Sequence, residues 1–336
     1  METKRIAYID AMRGFTMILV IYSHILHFCY GDSTMGFNTV LFLFRLPCFF
    51  FISGWLFDKA VWSAIPHKFM VQIVPTFIFL LLLAPPPEFF HQLGALKGGY
   101  WFTFVLFEFF LIQIVASRCG RWGIFVALAV SVGSFCFASY QNRLRTMSSG
   151  TDTLSVVLDI CGFLSIAPWR YYLFFYIGSW VRRHFEGFIR LTDKPLVIAA
   201  VTIGFFAIAS TNHPASPVLE YLRFSLGGIL GMIMVFTCFR LLSPYLQNTA
   251  FSHSLQYVGT RTLDIYLLHY FFLPRFLMDY GDQLRAYGSP LLEFLAAMVP
   301  ALVVLGLSLA LSWLIRLSPF LGHYLFGVKY ERRRQR

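Results

Sequence analysis

About ten apolar stretches, each long enough to cross a lipid bilayer, limit what this chain can fold into. They lie approximately at residues 10–30, 37–57, 69–85, 100–116, 122–140, 162–181, 195–210, 219–242, 257–274 and 291–316. A bilayer core offers no water to peptide groups, so each spanning segment must satisfy its own backbone hydrogen bonds, as a helix does. The sequence therefore predicts an all-α, polytopic integral membrane helix bundle with about ten transmembrane helices.

Composition agrees with this class. The chain is 58% hydrophobic and 19% aromatic, and only 13% of its residues are charged, whereas a soluble domain is charged at about a quarter of its positions. The connections between the stretches are short, which predicts a single membrane domain over residues 1–336 with a basic cytoplasmic tail at 317–336. The first stretch has full length and no small-x-small cleavage site, so we expect it to remain as a helix.

The basic residues indicate a membrane surface as their partner. The net charge is +11, but most Lys and Arg residues follow the ends of apolar stretches, which suits lipid headgroups and not nucleic acid. A basic pocket for a polyanionic ligand is the alternative.

Loop charges predict the orientation. One side collects Lys4, Arg5, Lys59, Lys68, Arg118, Arg121, Arg182, Arg183, Arg190, Lys194, Lys329, Arg332, Arg333, Arg334 and Arg336. The other side has Lys97, Arg143, Arg145, Arg275 and Arg285, spread over longer loops. We therefore expect both termini in the cytoplasm and a multi-pass protein of the cell (inner) membrane.

The six cysteines predict no special chemistry. They are scattered and form neither a CxxC pair nor a metal-ligand spacing. Inside apolar segments a cysteine behaves as a small hydrophobic residue. We expect neither a disulfide framework nor a metal site.

The first stretch carries ionisable residues at unusual depth. Arg13 and His24 are eleven positions apart, so on a helix they share one face, with a rise of about 16 Å between them. If Arg13 marks the membrane boundary, His24 lies beyond the bilayer midplane. Ionisable groups at such depth usually face a bundle interior or a wet cavity and have a function.

Other spans place ionisable residues at a similar depth in the predicted topology. These residues are Arg45, Glu108, Arg170 and His269, with Tyr266 one turn from His269 and expected to be a binding residue. Together with His24 they predict one polar layer. Two purely structural interpretations stay open. The histidines form hydrogen bonds between helices, or Glu108 and Arg45 form a buried ion pair that holds helices together.

Four segments resemble the membrane acyltransferase-3 family. YIDAMRGFTMILVIYSHI resembles its first helix, which carries Arg, ten residues and then His, here Arg13 and His24. FRLPCFFFISGWLF (44–57), GYWFTFVLFEFF (99–110) and VGTRTLDIYLLHY (258–270) resemble three later signatures in the same order. The chain is most similar to the branch of fucose 4-O-acetylases. It departs from that branch because Ser23 precedes His24 and Arg45 stands where a second His is usual.

The resemblance implies an O-acyltransferase that moves an acyl group, usually acetyl, from cytoplasmic acyl-CoA to a hydroxyl of a cell-envelope polysaccharide or lipid-linked sugar. Acetyl-CoA is then a co-substrate, and no cofactor is bound permanently. A neutral histidine suits removal of the hydroxyl proton, so His24 is the predicted general base, with a covalent acyl-His step as the alternative. Glu108 or His269 would fix its tautomer.

The expected roles of the Arg and Lys side chains are to bind negative charge. Arg13, and less strongly Lys68, would bind the donor phosphates. Arg45 or Arg170 would stabilise the developing oxyanion. The basic pair that usually precedes the proline of the third helix is reduced here to His67 and Lys68, ahead of Pro75.

Two other functions need similar residues. A proton-coupled transporter or flippase of a glycan precursor also needs intramembrane His, Glu and Arg, but the sequence has no evident inverted repeat, which transporters often have. A sensor or anchor would use the polar layer only to specify helix packing.

Overall fold

A computed structural model describes residues 6–57, 61–84, 96–148, 152–212, 216–246 and 248–328, together with positions 88 and 93. Its helices are α1 (Ala7–Cys29), α2 (Asn38–Trp55), α3 (Trp62–Leu83), α4 (Trp101–Arg118), α5 (Gly120–Met147), α6 (Thr153–Phe163), α7 (Ala167–Arg183), α8 (Phe185–Thr192), α9 (Pro195–Ala209), α10 (Pro217–Leu246), α11 (Ala250–Thr260), α12 (Thr262–Leu268), α13 (Gly281–Ala286), α14 (Pro290–Arg316) and α15 (Pro319–Phe326). No strand occurs among these described residues. The predicted helical class is therefore confirmed.

Seven of the described helices are long and apolar enough to cross a membrane, and up to nine spans result if each bent helix pair is one span. The seven are α1, α2, α3, α4, α5, α10 and α14. The two bent pairs are α6 with α7, bent by 48°, and α8 with α9, bent by 81°. These pairs cover the predicted sixth and seventh spans. The prolines at the starts of α7 and α9 (Pro168 and Pro195) explain the breaks, since proline has no N–H to continue a preceding helix and is favoured in the first turn of a new one.

The predicted ninth span, residues 257–274, is not one continuous helix. It is divided between α11, α12 and a 3₁₀ turn at His269–Phe272. Arg261 joins the two helices with φ −114° and ψ 15°, which lies outside the helical region. Pro274 follows the 3₁₀ turn and has no N–H to continue it. The span predicted over residues 257–274 is therefore not a single helix. The break places His269 at the end of α12.

Two compact units make up the chain. The first contains Met1–Ile52, Trp180–Pro214 and Leu222–Leu314, and the second contains Ser53–Ser179, Ala215–Tyr221 and Ile315–Arg336. The prediction of a single domain stays a prediction. The predicted orientation of the chain in the membrane also stays a prediction. Part of it rests on residues 4, 5, 59 and 329–336, which lie outside the described residues. The first part of the predicted tail forms helix α15.

In the first unit, α1 and α11 cross in close contact through two glycines. A Cβ atom added to Gly14 would lie 2.0 Å from the Leu255 carbonyl oxygen, and one added to Gly259 would lie 1.9 Å from the Asp10 carbonyl oxygen. Only glycine permits such an approach of two backbones. Because α12 and His269 follow α11 directly, this crossing holds the later segment beside α1.

In the second unit, Lys97 joins two breaks in the helical structure. Lys97 precedes α4 with φ 51°, and Ser165 lies between α6 and α7 with the same φ. The Lys97 side chain is buried, and Nζ donates hydrogen bonds to the Phe163 carbonyl at 2.7 Å and to Ser165 Oγ at 2.8 Å. A cation is favourable at the carbonyl end of a helix. Lys97 therefore caps α6 and supports the bend before α7.

All six cysteines lie within the described residues and are free thiols.

Candidate functional site

Two histidines meet in the first unit. His24 comes from the last third of α1, and His269 follows α12. His24 Nδ1 lies 2.7 Å from His269 Nε2, and the two rings are nearly parallel, with an angle of 13° between their planes. They are separated by 245 positions in sequence, so the contact depends on the crossing of α1 and α11.

The neighbours of His269 determine where the protons are. His269 Nδ1 lies 2.8 Å from the Tyr266 carbonyl oxygen and 3.1 Å from that of Ile265. A carbonyl oxygen only accepts hydrogen bonds, so Nδ1 of His269 carries the proton, and in neutral His269 Nε2 is the acceptor. His24 Nδ1 must then be the donor. Neutral His24 consequently has its lone pair on Nε2.

Burial distinguishes the two rings. His269 is fully buried, whereas His24 is partly exposed. No side chain or backbone group in the described part of the chain hydrogen-bonds to His24 Nε2. The pair therefore has one enclosed ring that positions the other, and one ring whose unprotonated nitrogen is available to a reactant.

Aromatic rings surround the histidine pair. Tyr270 packs on His269 with ring centroids 4.0 Å apart and on His24 at 5.3 Å, and Phe28 packs edge-on to His24 at 5.6 Å. Tyr266, a predicted binding residue, is buried, and its ring centroid lies 5.9 Å from that of His269. Its backbone carbonyl also accepts a hydrogen bond from His269 and orients that ring. Tyr270 was not predicted from the sequence, although it directly follows His269.

Arg45 supplies a cation in the same unit. It is buried on α2, and Nη1 donates a hydrogen bond to Asn38 Oδ1, which lies two turns earlier on the same face of the helix. Asn38 Nδ2 in turn donates to the Ser33 carbonyl at 2.5 Å. These hydrogen bonds hold the guanidinium in place within the first unit.

Arg13 lies on the same helix as His24, three turns closer to the N-terminus. It is half-buried, and continuity of α1 between the two positions keeps the rise near 16 Å that an ideal helix gives. The predicted arrangement of Arg13 and His24 along one uninterrupted helix is therefore present.

The other predicted site residues belong to the second unit. Glu108 Oε2 accepts a hydrogen bond of 2.7 Å from Trp169 Nε1. The Arg170 guanidinium lies 5.3 Å from the centre of the Tyr171 ring, and Lys68 Nζ lies 5.7 Å from the centre of the Phe57 ring. The polar layer predicted across both units stays a prediction. Within the first unit the structure brings His24 and His269 together.

The chemistry of this site depends on its histidine pair. Among the described residues, no group of three or more His, Cys, Asp or Glu side chains is placed to hold a metal ion. The histidine pair can take up a proton at His24 Nε2 and spread the resulting charge through its hydrogen bond to His269.

These features define a class: a multi-pass membrane protein of helices with a histidine pair held between distant segments. The profile of the acyltransferase-3 family, an acyltransferase domain, matches residues 6–317, so the chain belongs to this family and is an acyltransferase. No curated protein and no solved structure matches the chain significantly.

Proposed function

We propose that the protein is a membrane O-acetyltransferase that moves an acetyl group from acetyl-CoA to a hydroxyl of a cell-envelope polysaccharide or a lipid-linked sugar. The observation that supports this proposal most is the His24–His269 pair, because it leaves one imidazole nitrogen free to act as a base. Family membership supports acyl transfer, and the sequence resemblance to fucose 4-O-acetylases supports acetyl as the group and a sugar as the acceptor.

The reaction begins with the acceptor hydroxyl. Its proton passes to His24 Nε2 while its oxygen attacks the thioester carbonyl, which forms a tetrahedral oxyanion. The C–S bond then breaks, the ester is released, and the CoA thiolate takes the proton from His24 Nε2. The products are the acetyl ester and CoA, and His24 returns to its neutral state.

His269 acts as a positioning residue in this scheme. Its Nε2 accepts the hydrogen bond from His24 Nδ1 both before and after His24 is protonated. Because its own Nδ1 is committed to two backbone carbonyls, the orientation of His24 does not change during the cycle. Such preorganisation is worth more than a contact that must form during the reaction.

The cationic side chains are proposed to bind the negative charges of the donor and of the oxyanion. Arg13 is the proposed partner of the donor phosphates at the cytoplasmic end of α1, and Lys68 a further one. Arg45 is the proposed stabiliser of the oxyanion because its guanidinium is buried in the same unit as the histidine pair and is held by Asn38. Arg170 is an alternative for that role, and Glu108 a further proposed catalytic group. The proposed location is the cytoplasmic membrane.

Purified protein in lipid nanodiscs, supplied with radiolabelled acetyl-CoA and envelope glycan, tests the proposal. We expect label to appear on the glycan as an ester that mild alkali removes. A transporter or flippase would instead leave the label on CoA and move unmodified glycan across a vesicle membrane. A folded protein that transfers no label to any envelope fraction contradicts the enzyme proposal.

A further inference from the structure

An apolar cavity of about 240 Å³ lies in the first unit, between α9 and α10. Thr192, Val201 and Thr202 line it on one side, and Ile233 and Thr237 line it on the other. It is larger than an engineered apolar cavity of about 150 Å³ that binds benzene. A hydrocarbon chain therefore fits it.

One polar group that lines this cavity lacks a partner. Thr237 is only 4% exposed, and its hydroxyl oxygen makes no hydrogen bond. Arg240 lies three residues beyond Thr237 on α10, a rise of about 4.5 Å, and its Nη2 contacts Asp193. A buried donor without an acceptor is costly, so a bound molecule with an acceptor group beside Thr237 would satisfy it.

Positive charge collects near Thr192, one of the lining residues. Arg190 and Lys194 flank Thr192 in sequence at the bend between α8 and α9, and Arg240 pairs with Asp193 there. These three cations stand against the two carboxylates of Asp193 and Glu186. Arg190 and Lys194 are exposed. An anionic group is therefore favoured here, beside the apolar cavity.

The cavity belongs to the lipid-facing part of the unit. Leu196 and Ile203 on α9 are 81% and 70% exposed, as expected for side chains that meet hydrocarbon. The surface next to this cavity is therefore suited to contact with lipid.

We propose that the cavity binds one anionic phospholipid of the surrounding bilayer. An acyl chain occupies the space between α9 and α10, the ester carbonyl accepts a hydrogen bond from Thr237 Oγ1, and the phosphate lies between Arg240 and Lys194. This site is independent of the acyl transfer, and its test needs no enzyme activity.

Native mass spectrometry of the whole protein, extracted from nanodiscs of equal phosphatidylglycerol and phosphatidylcholine, tests the site. We expect one phosphatidylglycerol molecule to remain bound to the wild type. Thr202→Trp fills the cavity and should lose it, whereas the matched control Ile203→Trp, on the adjacent lipid-facing position, should keep it. Equal retention by both variants, or selective retention of phosphatidylcholine, overturns the proposal.

Two milder variants resolve the two polar contacts. Thr237→Val removes the hydroxyl at nearly constant size and should weaken phosphatidylglycerol retention about two- to tenfold. Lys194→Gln should reduce the preference for phosphatidylglycerol over phosphatidylcholine. Unchanged retention in the first variant and unchanged preference in the second overturn the assignment.

Crosslinking on the wild type avoids any question of folding in the variants. Phosphatidylglycerol with a diazirine on its acyl chain should label peptides that contain residues 192–202 and 233–241 in preference to other lipid-facing helices. Uniform labelling along the spanning helices contradicts a defined site.

Discussion

At the residue scale, the hydrogen bonds of His269 decide which nitrogen of His24 is reactive. Removing the acceptor at position 269 would allow His24 to change tautomer and ring orientation. We therefore expect His269→Leu to lower kcat by about 10²-fold or more with little change in KM. His269→Gln should recover part of the loss, because its amide oxygen can accept from His24 Nδ1. Steady-state kinetics in nanodiscs measures this, and equal losses in the Leu and Gln variants would contradict a positioning role.

The histidines could be found from the sequence, but their contact could not. His24 stands out because an ionisable residue deep in an apolar stretch is rare. His269 stands out for the same reason. Tyr270 carries no such signal, since aromatic residues are common throughout this chain. Its packing on both rings depends on a contact across 245 sequence positions, which periodicity and spacing do not reveal.

At the element scale, the crossing of α1 and α11 positions the histidine pair. An alanine at an exposed helical glycine would normally stabilise the helix by about 0.5–1 kcal/mol. At Gly14 the added Cβ would instead meet the Leu255 carbonyl oxygen at 2.0 Å and force the helices apart. We expect Gly14→Ala to lose about 1–3 kcal/mol of stability and to lower activity.

A matched variant separates this effect from helix propensity. Gly306 lies on α14 and has nothing within 4 Å of an added Cβ, so Gly306→Ala should leave stability unchanged or slightly higher. Thermal unfolding in detergent compares the two. If Gly14→Ala unfolds at the temperature of Gly306→Ala, the close crossing is not what holds these helices together.

Helices and breaks could be predicted where the local sequence carries a strong pattern. Long apolar stretches predicted the spans, and a proline, Pro168, stands at the start of the helix that follows the bend in the sixth. The break at Arg261 was missed because neither proline nor glycine marks that residue itself. The left-handed conformations of Lys97 and Ser165 were also missed, since tertiary contacts between these two residues support them.

At the scale of the whole molecule, folding stability should depend on pH through Asp32. This carboxylate follows α1, accepts hydrogen bonds of 2.7 Å from the Thr34 hydroxyl and backbone N–H, and pairs with Arg285 of α13 at 2.6 Å. These hydrogen bonds from Thr34, followed by the Arg285 charge, lower the pKa of Asp32 below its ordinary value of 3.8. A depressed pKa gives stability that is present above the unfolded pKa and lost as pH falls through the folded one.

Asp32→Asn should therefore unfold at a lower temperature than the wild type near neutral pH. The difference should shrink as pH falls below the ordinary value of 3.8 and on through the lower pKa of folded Asp32. Asp279→Asn, a change of an exposed carboxylate with the same charge difference, serves as the control. If the difference in unfolding temperature between Asp32→Asn and the wild type stays constant down to pH 3, Asp32 does not act through its charge.

The class of the whole molecule could be predicted from composition, because only helices satisfy their backbone inside a bilayer without closing a barrel. The number of spans was harder to predict. Prolines and short apolar stretches produce bent pairs, and hydropathy alone does not determine whether a bent pair crosses the membrane. The division into two compact units has no marker in the sequence, since all connections are short.

One measurement tests the central claim most directly: the rate of label transfer from acetyl-CoA to envelope glycan by His24→Ala and by His27→Ala. Both substitutions remove an imidazole from α1, one turn apart, but His27 is exposed and contacts Ser33. We predict that His27→Ala keeps a rate close to that of the wild type, whereas folded His24→Ala loses transfer by about 10²–10⁴-fold. Equal rates in the two variants would contradict a catalytic role for His24.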